Sequence, residues 1–294
     1  MPTSHPPTSA PTPTPTPTPA PAPPSGLRPA PGRPGIWTAG APEGAPLVLV
    51  HGIRLSARMW DPHAHRLAPR FRITAPDLPG HGTLRDRPFG LEEAVERVGL
   101  AVEEAALATG RRPLVAGTSL GGYVALAYAA AAHPAAAAVL VQGSTARPDG
   151  PTGRIYRAAA RALGALGPAR AARLGDRALG HRLPAESYEA VTCGGLAMHA
   201  FAEVVEDLAR RDFLDVAGRC RLPVLFVNGL GDPLFRAQEK QFVAAVRAGG
   251  GSARLFHVHG PHDMAISDPA AFTRLLERGH GLLAAAHPAA FAPA

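Results

Sequence analysis

Residues 114–127 read LVAGTSLGGYVALA, and this stretch decides the fold. Its first half, LVAGT, is a short aliphatic run of strand type, whereas LGGYVALA resumes at helical spacing with small and aliphatic residues. Between them stands Ser119, inside Gly117-Thr118-Ser119-Leu120-Gly121, the one G-x-S-x-G of the chain. A serine on so sharp a strand-to-helix turn needs small neighbours, because β-carbons beside it would meet adjacent backbone. The strain lifts Oγ above the strand end, and the helix behind it offers free N–H groups and the positive end of its dipole. An idle serine in a glycine-rich connection is the alternative, so the rest of the chain has to supply a base and an acid.

Working outward, APLVLVHG (45–52), RITAPDLPGHG (72–82), RRPLVAG (111–117), AAAVLVQG (136–143), LPVLFVNG (222–229) and ARLFHVHG (253–260) read as buried strands. LEEAVERVGLAVEEAALA, GYVALAYAAAA, RAQEKQFVAAVRAG and AAFTRLLERG between and after them read as helices. This alternation predicts an α/β fold, a mainly parallel doubly wound sheet with helices on both faces and a ligand site beyond the strands' carboxyl ends. It breaks once: residues 146–221 carry only helical patterning and are expected to form a helical cap, inserted after the strand ending near Gly143. The core is then expected at 35–145 and 222–281, with a frayed C-terminal tail at 282–294. Residues 1–34 contain 14 prolines and predict an extended, disordered tail that adds no contact to the core.

Of the 294 residues, 30 are basic and 23 acidic, a net charge of +7, but Lys240 is the single lysine. Arginine is abundant together with Ala, Gly and Pro, so the excess reads as compositional bias. No nucleic-acid motif accompanies it, and no nucleic-acid partner is expected. No window of eighteen apolar residues lacks Gly, Pro or charge, so no membrane span is expected. The N-terminus lacks a signal-peptide pattern, which makes a cytoplasmic location the default. Cys193 and Cys220 fit neither a disulfide framework nor a metal site, and two buried thiols are expected. The oligomeric state is not legible.

A serine hydroxyl needs a base, and the base an orienting carboxylate, in the chain order Ser, Asp/Glu, His on this architecture. LPVLFVNGLGDPLF places Asp232 just past a strand, and ARLFHVHGPHDMAISDP places His262 past the next. His259 competes with His262, and His257 lies with it inside the strand pattern; Asp149 competes with Asp232. An oxyanion hole needs two amide donors, each worth on the order of 3 kcal/mol in the transition state. The N–H groups of Leu120, after the serine, and of Ile53, after His51-Gly52, are the candidates.

His51-Gly52, Asp77-Leu78-Pro79-Gly80-His81-Gly82, Gly117-Thr118-Ser119-Leu120-Gly121, Gly229-Leu230-Gly231-Asp232, and His262 followed by Asp268-Pro269 stand in one order along the chain. In these landmarks residues 35–281 resemble the α/β-hydrolase family, in its serine-nucleophile, capped, esterase- or lipase-like form. The resemblance implies a Ser119–Asp232–His262 triad, Ile53 and Leu120 at the oxyanion hole, and structural roles for Asp77 and His81. Ser267 stands where members often carry Glu, and GIWTAGAP is the single strand-like piece before Leu47, which predicts a sheet one strand short. A serine nucleophile argues against the aspartate-based dehalogenases and epoxide hydrolases of the family.

The implied activity is hydrolysis of a small to medium carboxylic ester, thioester or lactone through an acyl-enzyme on Ser119, with no cofactor, no metal and a small-molecule acyl substrate. An acyltransferase, lyase or perhydrolase, or a ligand-binding protein with little turnover, would share every motif. Eight arginines between Arg147 and Arg182 face only Asp149 and Asp176, which fits a basic lip for anionic substrates or a solvated helix face. Tyr188, Met198, Phe201 and Phe213 are candidate pocket residues.

Overall fold

The computed structural model describes residues 26–293, so the expected tail up to residue 25 lies outside the described residues. Eight strands form one sheet: β1 (Arg28–Pro29), β2 (Ile36–Ala39), β3 (Ala45–Val50), β4 (Phe71–Pro76), β5 (Leu114–Thr118), β6 (Ala138–Gln142), β7 (Val224–Gly229) and β8 (Ala253–Val258). Their spatial order is β1-β2-β4-β3-β5-β6-β7-β8. From β4 to β8 all neighbours are parallel, and β1 and β2 continue the sheet antiparallel at one edge.

Helix α1 (Asp61–Leu67) joins β3 to β4, α2 (Leu91–Thr109) joins β4 to β5, and α3 (Leu120–Ala129) joins β5 to β6. Between β6 and β7 come α4 (Pro151–Ala165), α5 (Pro168–Gly180), α6 (Ala185–Gly194), α7 (Phe201–Ala209) and α8 (Phe213–Gly218). Then α9 (Pro233–Arg236) and α10 (Glu239–Ala248) precede β8, and α11 (Met264–Ser267), α12 (Pro269–Ala286) and α13 (Pro288–Phe291) follow it.

Alternation along the strands sorts the helices. Leu47 and Leu49 of β3, with Ile73, Leu140 and Leu225, enter one apolar cluster with α1, α11 and α12. Val48 and Val50, with Val115, Val139 and Phe226, enter the other with α2, α3 and α10. A parallel sheet covered on both faces has to be apolar on both, which is why β3 is an unbroken aliphatic run. Helix α3, directly behind Ser119, is buried on nearly its whole circumference and has no charged residue.

Five expectations need correction. The ordered chain begins before residue 35: β1 pairs with β2, and Leu27 and Ala30 are each 5% exposed. With β1 and β2 at its edge the sheet is not a strand short. The C-terminal segment is not frayed, because α12 runs to Ala286 with Leu283 buried, and the Phe291 ring packs edge-on against His280. Helix α8, inside the segment expected as cap, puts Phe213, Val216 and Ala217 into the cluster of α3 and α10, so its apolar face belongs to the core. Cys193 is exposed, while burial raises the Cys220 thiol to about 12; both are free. No helix among the described residues is long and apolar enough to cross a membrane.

Candidate active site

Ser119 is the N-cap of α3 and has φ 52° and ψ −117°, a conformation that costs about 1–3 kcal/mol for a residue with a β-carbon. The surroundings hold it there. Its N–H donates to the Gln142 carbonyl at 2.9 Å, and the Ser144 hydroxyl donates to its carbonyl at 2.7 Å. A β-carbon at Gly117 would overlap the Gly121 carbonyl, and one at Gly121 the Val50 carbonyl, so both flanking glycines are sterically required. This close fit of helix against strand makes the turn sharp enough to present Oγ.

His262 lies in the loop after β8, with Nε2 3.1 Å from Ser119 Oγ and Nδ1 2.7 Å from Asp232 Oδ2. Asp232 caps α9 after β7 and is 4% exposed. The loops carrying the two residues are joined by the Gly231 N–H, which donates to the Gly260 carbonyl at 3.0 Å. The Phe235 ring stacks on the imidazole, 4.3 Å between centroids and 18° between planes, and Gln142 Nε2 donates to the His262 carbonyl at 3.2 Å. The structure thus brings Ser119, His262 and Asp232 into one hydrogen-bonded row, each placed by a different strand end.

The oxyanion candidates flank the same point. Leu120 opens α3, so its N–H has no acceptor within the helix. Ile53 lines the cavity above Ser119. A β-carbon at Gly52 would lie 3.8 Å from the Ser119 β-carbon, ordinary contact, so space alone does not require glycine there.

Two buried histidines brace the loop. His51 Nε2 accepts from the Leu78 N–H at 3.0 Å, with its Nδ1 2.9 Å from the Gly52 carbonyl. His81 Nε2 accepts from the Arg54 N–H at 3.2 Å, with its Nδ1 2.8 Å from the Pro79 carbonyl. Burial lowers both, His81 to about 3, with the neighbouring His51 adding to the effect. Both rings are therefore neutral, which leaves Nε2 free to accept. Asp77 gathers the loop, accepting from the Ala57 N–H at 2.9 Å, Trp37 Nε1 at 3.0 Å and the Thr83 hydroxyl at 2.8 Å. Gly82, at φ 54°, is the residue that leaves room for the Asp77 carboxylate.

Above Ser119 and His262 opens a cavity of about 440 Å³, roofed by Ile155, Leu163, Leu179, Leu196, Met198 and Phe201. A second cavity, of about 50 Å³, touches Ser119, Ile53 and Tyr156 and is closed by Val204, Val205 and Leu208. Of the expected pocket residues Met198 and Phe201 line the larger cavity, whereas Phe213 packs in the core against Tyr123 and the Tyr188 hydroxyl bonds to Asp176.

The competing residues lie elsewhere. Asp149 is held by Arg147 at 2.6 Å, and that bond lowers its carboxyl below the ordinary range. His257 pairs with Glu239 at 2.9 Å, and His259 is exposed one residue past β8, which is a partly exposed edge strand and not the buried strand expected from the sequence. Gly143, read from the sequence only as a strand end, also makes room for the base: a β-carbon there would sit 2.9 Å from the His262 ring. A glycine ending a strand beside the serine's own was the available signal. Among the described residues no group of three or more His, Cys, Asp or Glu side chains could share a metal ion.

The chain is similar in sequence and in fold to known proteins. A family model described as "Alpha/beta hydrolase family" matches residues 47–294. The pimeloyl-[acyl-carrier protein] methyl ester esterase of Pectobacterium carotovorum is 36% identical over 89 residues, 30% of this chain and 32% of that protein. The protein of the same name from Xanthomonas campestris is 36% identical over 107 residues, 36% of this chain and 39% of the relative. These alignments span about a third of the relatives' length. The crystal structure of a hydrolase from Pseudomonas aeruginosa superposes with a TM-score of 0.64 at 22% identity, covering 85% of this chain and 96% of that one, a likeness of fold.

Proposed function

The chain belongs to the alpha/beta hydrolase family, and from that membership we propose that it is a serine hydrolase of small to medium carboxylic esters. The observation that carries this reading is the row of 3.1 and 2.7 Å contacts from Ser119 through His262 to Asp232, at the floor of an apolar cavity.

In the reaction His262 Nε2 takes the Ser119 proton as Oγ attacks the ester carbonyl carbon. Asp232, accepting from Nδ1, fixes the tautomer and stabilises the imidazolium. The developing oxyanion receives the N–H groups of Ile53 and Leu120, which are already fixed and need no reorganisation. The C–O bond breaks, the alcohol leaves with the proton from His262, and water opens the acyl-enzyme by the reverse path. The larger cavity suits an acyl group of several carbons, and the smaller one has room for a leaving group of a few heavy atoms. The relatives' names, methyl ester esterases, support the same reaction class.

A panel of p-nitrophenyl esters of rising chain length tests the reading. Turnover is expected in the wild type, with Asp232→Asn lower in kcat by about 10⁴-fold and Ser119→Ala without an acyl-enzyme. Undiminished turnover in Ser119→Ala would overturn it, and absence of turnover with every ester would move the protein to a non-hydrolytic role.

A further inference from the structure

One charged group in the larger cavity has no part in that reaction. Arg54 follows Ile53 in the loop after β3 and lines the cavity together with Ser119 and His262. Its backbone is left-handed, φ 67°, and Ser119 is the other non-glycine residue with positive φ among the described residues. Glycine would adopt that conformation freely, so loop geometry alone does not call for arginine. The main chain is fixed on both sides: the N–H donates to His81 Nε2 at 3.2 Å, and the carbonyl accepts from the Ala197 N–H at 2.9 Å.

From this anchor the guanidinium lies over Phe201, its carbon 5.5 Å from the ring centroid, with Nε buried and unpartnered. Among the described residues, the ionisable group that acts on it is the Tyr156 hydroxyl, not a carboxylate. Burial, reinforced by Asp232, raises the Tyr156 phenol above its ordinary value, so Tyr156 stays neutral and offers no counter-charge. Asp263, which lines the same cavity, is engaged with Arg182 at 3.2 Å. The arginines of α4 and α5 are mostly exposed. A half-buried cation is thus left without an anion in a largely apolar wall, an arrangement that is costly until a ligand supplies the charge.

Resting on the serine hydrolase reading above, we propose that Arg54 determines specificity by binding a carboxylate on the substrate's acyl portion, so that monoesters of dicarboxylic acids are preferred. A guanidinium presents two parallel N–H donors that match a carboxylate's two oxygens, and Tyr156 lines the same space. One unneutralised cation balances one negative charge.

The test compares monomethyl esters of the succinate-to-suberate series with methyl esters of monocarboxylic acids of equal length. In the wild type kcat/KM for the best monoester exceeds that of its neutral counterpart by about tenfold or more. Arg54→Gln brings this ratio close to one, mainly through KM, and Arg54→Lys restores part of it. Separately, monomethyl adipate raises the Tm of folded Ser119→Ala and does not raise that of the Ser119→Ala/Arg54→Gln double variant. A wild type that hydrolyses both series with equal kcat/KM overturns the Arg54 assignment and leaves the hydrolase reading intact. Where neither series is turned over, the Tm comparison decides on Arg54 alone, and the p-nitrophenyl ester panel decides on the hydrolase reading.

Discussion

Burial, rather than chemistry, accounts for several of the histidines. His81 and His63 are both fully enclosed, and burial lowers each from 6.5 to about 3. The unfolded chain takes up a proton on each below about pH 6.5, whereas the folded chain refuses it down to about pH 3. Stability is therefore complete above pH 6.5 and falls with acidification through that window, by up to about 1.4 kcal/mol per pH unit for each group. Denaturant unfolding between pH 7 and 4 is expected to show this slope, and His81→Gln should flatten it by one group's share; an unchanged slope would contradict the assignment. At this scale the placement of Ser119, Asp232 and His262 was legible, because each stands just past a strand with glycine close by. Arg54 and Gly143 were not: the meaning of each depends on which distant side chain approaches it, Phe201 in one case and His262 in the other.

Among the elements, those with strong periodicity were read correctly from the sequence, and the weakly patterned ones were not. Strands β3 and β5 to β7 are mainly aliphatic runs whose burial on both faces follows from helices on each side. β1 is two residues long within a proline-rich stretch, and its order comes from pairing with β2 and from Leu27 fitting into the core near α1, where its N–H bonds to Asp61. Neither is visible locally. Deleting residues 1–34 removes Leu27, Ala30 and the Arg33–Glu103 ion pair of 3.0 Å. Loss of the leucine alone costs about 2 kcal/mol, so Tm should fall by roughly 5 °C. A Tm equal to that of the full chain would show that β1 contributes nothing. Helix α8 was misplaced for a similar reason: Phe213 and Val216 suit a cap or a core equally well in sequence, and only the approach of α3 and α10 decides.

In the whole molecule, parallel strands deliver their carboxyl ends to one edge, and three of those ends carry Ser119, Asp232 and His262. The helices inserted after β6 roof that edge with α4, α5 and α7 and leave a cavity between roof and sheet. The order of motifs foretold the edge; the cavity's lining and its lone guanidinium came from the tertiary packing. The central claim is that Ser119 is a nucleophile activated by His262. Peptide mass spectrometry after reaction with a fluorophosphonate tests it most directly. A single adduct on the peptide containing Ser119, absent from Ser119→Ala and much slower to form in His262→Ala, is the expected result. An adduct on another residue, or an unmodified Ser119 in folded protein, would contradict it.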